Sequence, residues 1–267
     1  MSINNLFEKG NKFFLAQNHI AGLEVYKQIF FKYPKNIRII EEINKKIKKF
    51  RVFVQPTFSQ SQIDKFFELH NLGKTNLVIQ TLNESIKTDQ DNVLSISLLG
   101  TFLAMNEEYE EAIKFQKLAV EKAPFEIPFY LNLSETLNQI NRLEESLSTL
   151  YFAKVLSLND KSIDYKLAKI HTKLKNYFKA DLIYKDLIKE DIVASEIIHD
   201  YCNNLIRSSK AKEAILFLEK YELKKPKDEK VKVIIGFAYY YIKQYKTAKN
   251  ILLDVTKSNN YNEKALT

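Results

Sequence analysis

The sequence predicts an all-α protein built as a solenoid of paired helices, and three observations lead to that prediction. Apolar residues recur with helical spacing, short polar turns interrupt them, and the whole pattern repeats every 34 residues. The 267-residue chain is 45% hydrophobic and 28% charged, with five Gly, five Pro and one Cys. That composition excludes a disordered polar chain, a collagen-like chain and a disulfide framework.

The clearest repeat covers residues 93–126. An apolar pattern of helical spacing is interrupted at Asn106 and resumes from Tyr109, which predicts two helices joined by a short turn. Gly100 and Ala112 are small residues that allow the paired helices to approach closely. This stretch resembles the tetratricopeptide repeat, a 34-residue helix pair with small residues at its eighth and twentieth places and Pro near its end.

The same register continues when the chain is read in steps of 34 residues. Residues 59–92 fit less well, because Phe66 and Val78 occupy the small-residue places and Gly73 stands at the turn. The resemblance covers about seven units and implies a right-handed superhelical solenoid whose concave groove is lined by the first helix of each pair. The units are residues 3–36, 59–92, 93–126, 127–160, 161–194, 195–228 and 229–262.

The segment after the first unit predicts one more helix and a linker. Ile39, Ile43 and Ile47 form an apolar stripe of helical spacing, typical of a helix that covers the first repeat. We therefore divide the chain into an N-terminal repeat plus capping helix, a linker and a tandem-repeat superhelix, at residues 1–50, 51–58 and 59–267. A membrane-surface helix is the alternative, although it lacks a Trp anchor and carries Glu41 and Glu42.

The net charge of +8 is unevenly distributed. Residues 93–160 carry five basic and ten acidic side chains, whereas residues 161–267 carry 22 and 14. Of the 41 basic residues 37 are Lys, which argues against a nucleic-acid partner because bidentate recognition of phosphates and bases prefers Arg. There is no apolar run long enough for a membrane span and no secretory signal, so we predict a soluble cytoplasmic protein.

No group of residues in the sequence indicates catalysis. The four histidines never pair at helical metal-ligand spacing, and His171 occupies an apolar place of its repeat. Cys202 occupies a small-residue place, where a thiol acts as a compact apolar group. Gly73, Lys74 and Thr75 resemble the end of a phosphate loop, but no strand precedes them. We therefore predict that the chain is not an enzyme and holds neither a cofactor nor a metal.

The groove positions of the central units are the candidate binding site. They are polar and of mixed charge, so they can hold an extended peptide by hydrogen bonds to its backbone and to its acidic groups, or they are simply solvated surface. They match neither the carboxylate clamp of co-chaperone repeats nor the asparagine ladder of O-linked N-acetylglucosamine transferases. The candidate peptide-binding residues are Asn132, Asn138, Tyr165, Lys166, Lys169, His199, Asn203 and Arg207.

The last unit differs from the others because its first helix is apolar nearly all round. Ile234, Phe237, Tyr240 and Tyr241 fall at groove positions, so we expect a further domain or a second subunit to cover this end. The sequence therefore predicts a non-catalytic scaffold that binds a peptide or a partner protein in its groove. The alternative is the N-terminal substrate-recruiting repeat region of a larger bacterial glycosyltransferase or sulfotransferase.

Overall fold

The structure is a computed structural model that describes residues 2–33, 36–51, 57–157, 159–189, 194–222 and 229–258. These residues form fifteen α-helices and no strand, which confirms the all-α prediction. The helices are α1 (Ile3–Leu15), α2 (His19–Lys32), α3 (Ile37–Phe50), α4 (Gln60–Asn71), α5 (Thr75–Thr88), α6 (Val93–Met105), α7 (Tyr109–Lys122), α8 (Ile127–Gln139), α9 (Leu143–Leu156), α10 (Lys161–Lys173), α11 (Tyr177–Leu187), α12 (Ser195–Arg207), α13 (Ala211–Glu222), α14 (Glu229–Tyr241) and α15 (Tyr245–Ser258).

The backbone conformation of the turns between paired helices also repeats every 34 residues. From α4 onward, one residue in each such turn has a positive φ, and each of these residues lies 34 positions from the next. The left-handed backbone ends the first helix and lets the following amide close the turn, as when Arg142 N–H donates to the Leu137 carbonyl at 2.8 Å. The residues are Gly73, Glu107, Asn141, Lys175, Ser209 and Lys243. The repeat register is therefore confirmed.

Small residues set the distance between paired helices. A Cβ added at Gly100 would lie 2.7 Å from Cγ of Gln116 and 3.1 Å from the carbonyl oxygen of Ala112, so a larger residue would require Gln116 to shift. In the less regular second repeat, Val78 takes a small-residue place and is fully buried. Phe66 of the same repeat meets Phe102 edge-on at 6.4 Å between ring centroids. Larger side chains thus replace the usual small ones and still pack.

The first repeat packs against α9, a helix that lies three repeats further along the chain. The Nζ of Lys27 in α2 donates to Ser148 Oγ at 3.2 Å and lies 3.9 Å from the centroid of the Phe152 ring. Phe31 contacts Tyr151 with 4.3 Å between ring centroids. The first repeat is therefore held by a distant repeat as well as by its own residues.

Helix α3 forms as predicted and completes this arrangement. Its stripe residues Ile43 and Ile47 are buried, and the helix contacts both α2 and α9. At its end Phe50 stacks on Phe14 at 5.0 Å. The capping role predicted from the stripe thus includes contact with α9, whereas residues 52–56 of the predicted linker lie outside the described residues.

Residue contacts divide the chain into two compact units, residues 1–163 and 164–267. In the second unit, small side chains line the contacts between successive helices and have no exposed surface. These fully buried residues are Ala168, Ala180, Cys202, Ala214 and Ala238. None of the described helices is both long and apolar enough to cross a membrane.

Candidate functional site

The first helices of two successive repeats, α6 and α8, border a cavity of about 110 Å³ in the first unit. Six of its lining residues stand at the groove positions of their repeats, and the other two, Gln116 and Thr136, are buried. The structure therefore places the predicted residue Asn132 beside groove residues of the preceding repeat. The lining residues are Thr101, Ala104, Met105, Gln116, Asn132, Glu135, Thr136 and Gln139.

Hydrogen bonds fix the polar groups of this cavity. The Asn132 side-chain amide donates to Thr101 Oγ1 at 3.1 Å and so joins the two repeats. The Gln116 amide nitrogen donates to the Gly100 carbonyl at 3.3 Å and to Thr136 Oγ1 at 2.9 Å. Gln116 is only 2% exposed. The side chains are thus positioned by contacts within the protein, before any ligand binds.

The outer edge of the cavity is acidic. Glu135 is exposed on α8 and accepts a hydrogen bond from the side chain of Asn138, at 3.4 Å, one turn further along the helix. Asn138 is half-buried and does not line the cavity itself. Of the two candidate residues in this repeat, Asn132 therefore lies in the cavity wall and Asn138 supports its acidic edge.

In the second unit, the candidate residues of α10 meet α12 through Asp200. The hydroxyl of Tyr165 donates to Asp200 Oδ2 at 2.6 Å, and Lys169 Nζ lies 4.0 Å from the same oxygen. Lys169 also lies 5.4 Å from the centre of the Tyr165 ring. Burial, followed by the hydrogen bond to Asp200, raises the pKa of Tyr165 above its usual value. Tyr165 therefore remains a neutral donor.

The other candidate residues of this unit differ in accessibility. His199 is buried, Lys166 is half-exposed, and Asn203 and Arg207 are exposed on α12. The next residue, Asn204, is fully buried and joins the helices, because it accepts from Thr172 at 3.0 Å and donates to the Tyr177 carbonyl at 3.3 Å. Asn203 and Arg207 are thus accessible polar groups on α12, whereas Asn204 has a structural role.

Sequence reasoning missed Gln116. The signal was present, because Gln116 is a polar residue among the apolar positions of α7, where Ala112, Ile113 and Val120 are buried. A buried amide needs hydrogen-bond partners, and these lie on two other segments of the chain.

The two side chains with the most obvious chemical reactivity are buried in the second unit. Burial raises the pKa of Cys202 to about 12 and lowers the pKa of His171 to about 4, with a smaller contribution to the latter from nearby Lys179. Their placement agrees with the packing roles that the sequence predicts. Among the described residues, no group of three or more His, Cys, Asp or Glu side chains could hold a metal ion.

The last described repeat leaves a large aromatic surface exposed. Phe237, Tyr240 and Tyr241 on α14 are 46%, 57% and 60% exposed. Ile234, for which the sequence predicts a groove position, is instead 7% exposed and belongs to the core of the second unit. Helix α14 contacts both α12 and α13, and Ile234 joins the core that they form.

Paired helices with a common turn and small residues at their contacts define a helical-repeat protein with the tetratricopeptide-repeat fold. Solved structures of such proteins share it. A tetratricopeptide repeat protein from Parabacteroides merdae ATCC 43184 is 13% identical and aligns over 74% of this chain and 78% of its own, with a TM-score of 0.66. This likeness confirms the fold predicted from the sequence.

Two further structures have the same fold. YrrB, a TPR protein with an unusual peptide-binding site, is 15% identical over 69% of this chain and 95% of its own, with a TM-score of 0.54. A thermophilic TPR protein of Thermus thermophilus, TTC0263, is 20% identical over 68% of this chain and 98% of its own, with a TM-score of 0.51. No protein-family model and no curated protein sequence matches the chain.

Proposed function

We propose that this protein is a non-catalytic cytoplasmic scaffold that binds a peptide or a partner protein along the groove positions of its first helices. The observation that carries the proposal is the cavity between α6 and α8, because it is lined by groove positions of two successive repeats. Its polar groups are held in place by the Asn132 to Thr101 and Gln116 to Thr136 hydrogen bonds. A cavity that combines preorganised polar groups with apolar residues, here Ala104 and Met105, is typical of a site for a peptide side chain.

The second unit supports the same proposal with donor groups. Tyr165, Lys169 and Asp200 form a hydrogen-bonded and ion-paired cluster, and Asn203 and Arg207 are exposed one and two turns along α12. Amide and guanidinium groups at helical spacing can bind the carbonyl and carboxylate groups of an extended chain. The fold is shared with YrrB, a TPR protein with an unusual peptide-binding site, which supports a peptide as the class of ligand.

The proposal includes a second contact at the last described repeat. Phe237, Tyr240 and Tyr241 present exposed rings on α14, and Tyr240 meets Tyr245 of α15 at 5.4 Å between ring centroids. Aromatic residues are enriched in protein interfaces because they bury much area with few rotatable bonds. A further domain or a second subunit would cover this surface. The comparisons give no support to the alternative of a recruiting region for a glycosyltransferase or sulfotransferase.

Selection of peptides from a random displayed library against the full chain tests this function. We expect selected peptides to lose about tenfold or more in affinity when Asn132, Lys169, Asn203 and Arg207 are replaced together by Ala, because several direct contacts disappear. The matched control replaces four exposed residues of second helices, Glu144, Lys179, Lys212 and Lys220. If both variants bound the peptides equally, the groove residues would not be the binding site. Circular dichroism would show that both variants retain their helices.

A further inference from the structure

Gln116 lines the cavity between α6 and α8, and its side-chain oxygen is an unsatisfied acceptor. Both hydrogens of its amide nitrogen are directed to acceptors, the Gly100 carbonyl and Thr136 Oγ1. Its buried Oε1 has no hydrogen-bond partner among the described residues. A buried carbonyl without a donor is unfavourable, so this oxygen favours a ligand that brings a hydrogen-bond donor.

The orientation of the amide follows from its neighbours. Thr136 uses its own proton to bind the Asn132 carbonyl at 3.1 Å, so its oxygen must accept from Gln116. The Gly100 carbonyl can only accept. If the amide were reversed, its oxygen would face two acceptors, with no proton between them. The amide nitrogen of Gln116 therefore points toward the Gly100 carbonyl and Thr136 Oγ1, and its carbonyl oxygen is the atom that lacks a hydrogen-bond partner.

The other hydroxyl in the cavity wall is also used as a donor to the backbone. Thr101 donates to the Ser97 carbonyl at 3.0 Å and accepts from the Asn132 amide. The protons of Thr101, Thr136 and Gln116 are thus all committed to groups of the protein. Asn132 and Gln139 still carry amide hydrogens, but the side-chain oxygens of Glu135, Gln116, Asn132 and Gln139 all accept, so the cavity wall offers more acceptor than donor capacity.

Charge, size and shape add to this preference. Among the eight lining residues the only ionisable side chain is the Glu135 carboxylate, and no Lys or Arg lines the cavity. The volume of about 110 Å³ exceeds that of one water in the liquid, about 30 Å³, several-fold and suits a single head group. Met105 and Ala104 supply an apolar wall along which an aliphatic stem can lie.

We propose that this cavity binds a basic side chain, Lys or Arg, of the peptide or partner protein that occupies the groove. The inference rests on the proposed scaffold function and specifies its ligand. The ammonium or guanidinium group pairs with Glu135 and donates toward the acceptor-rich wall that includes Gln116, while its methylene groups lie against Met105. The acidic balance of residues 93–160, with ten acidic and five basic side chains, favours a positively charged segment at this cavity.

Titration of the full chain with N-acetyl-arginine amide, followed by NMR of the side-chain amides, tests the pocket without a peptide. We expect saturable shifts of the Gln116 and Asn132 amides, and binding about tenfold weaker for the neutral analogue N-acetyl-citrulline amide and for Glu135→Gln. Glu144→Gln, an exposed carboxylate of α9, is the matched control and should bind as the unaltered chain does. Met105→Lys should block the site with its own cation, whereas Met105→Leu should not.

Library peptides separate this inference from the scaffold function. If selected peptides carry a Lys or Arg whose replacement by norleucine costs affinity in the unaltered chain but not in Glu135→Gln, both stand. Peptides that depend on the groove residues but tolerate that replacement overturn the basic-side-chain site and leave the scaffold. The absence of groove-dependent peptides overturns the scaffold function. The absence of saturable arginine-amide shifts overturns the pocket, whatever the library returns.

Discussion

The first and the last described repeats differ in how far several of their aromatic side chains are buried. In the first repeat, Phe14 and Tyr26 are 2% and 0% exposed, whereas Phe237, Tyr240 and Tyr241 of α14 are about half-exposed. Both repeats pair two helices across a glycine, Gly10 in the first and Gly236 in the last. The difference shows that one helix hairpin cannot bury its own aromatic surface and needs a further element to do so.

The first repeat has two such elements. Phe50 of α3 and Phe125, in the turn after α7, both stack on Phe14, at 5.0 and 6.1 Å between ring centroids. Lys27 adds a polar contact, because its ammonium group meets Ser148 and pairs with Glu24 at 2.7 Å. No described element covers Tyr240 and Tyr241 in this way. Stability should therefore respond to mutation much more at the first repeat than on the exposed face of the last.

The largest effect is expected for Phe14→Ala. Removal of a buried ring that stacks on two others leaves a cavity and should cost about 3–5 kcal/mol of local stability. Hydrogen exchange of the α1, α2 and α3 amides would measure it. Phe178→Ala, at a side chain that is 72% exposed, is the control and should change little. Unchanged protection in the Phe14 variant would show that the stacking of Phe50 and Phe125 on Phe14 does not stabilise the first repeat.

A smaller effect is expected for Lys27→Ala, about 2 kcal/mol on the same amides, because the packed stem and the bond to Ser148 are lost together. Lys27 is 7% exposed. Lys114→Ala removes an exposed lysine that also pairs with a glutamate of its own helix and should cost under about 0.5 kcal/mol. Similar losses for the two lysines would contradict a specific role for the contact with α9.

Substitution of valine for Gly10 and for Gly236, which occupy the same place in the first and last repeats, tests the comparison of the two repeats further. Gly10 faces the buried Tyr26 ring, whereas Gly236 faces Leu252, a half-buried side chain whose Cγ would lie 2.7 Å from an added Cβ. The tyrosine has less room to move, so we expect Gly10→Val to cost about 1 kcal/mol more than Gly236→Val, within the usual range for overpacking. Urea unfolding followed by hydrogen exchange would resolve each repeat. The reverse order would mean that the last repeat is the more rigid one.

The smallest effect on stability is expected for the pair Tyr240→Ser and Tyr241→Ser. Both rings are exposed, so unfolding should change by less than about 0.5 kcal/mol. Binding of a hydrophobic dye should fall markedly, since an exposed aromatic surface is removed. Phe178→Ser provides a comparison at an isolated exposed ring. A large loss of stability in the double variant would show that the tyrosines pack within the repeat.

Local features of this molecule could be predicted from the sequence, and non-local ones could not. The turn at Gly73 and the stripe of Ile43 and Ile47 depend on neighbouring residues, so helical spacing and turn chemistry are enough to predict them. The contact of Lys27 with Ser148 joins residues 121 positions apart and leaves no local pattern. The 34-residue step predicts the order of the repeats but not which helix faces α2.

The candidate site shows the same limit. Helical geometry is enough to assign Asn132 and Arg207 to groove positions, because their places in the repeat are fixed by local spacing. Gln116 stands in a second helix, and its role appears only when Gly100 and Thr136 are seen beside it. His199 has a groove position by spacing and is nevertheless buried by its neighbours. Which polar residues bind a ligand, and which join helices, is decided by packing between repeats.

The contact between α2 and α9 also determines when the first repeat can complete its packing during synthesis. Most contacts in a helical-repeat array join neighbours, so such arrays can fold while the chain is still being synthesised. Lys27 must instead wait for Ser148, 121 residues later, which is about 6 to 24 s at the usual rates of translation. During that interval α1 and α2 have left the ribosome without the helix they pack against. The first repeat is thus made before the fourth but reaches its final packing only after it.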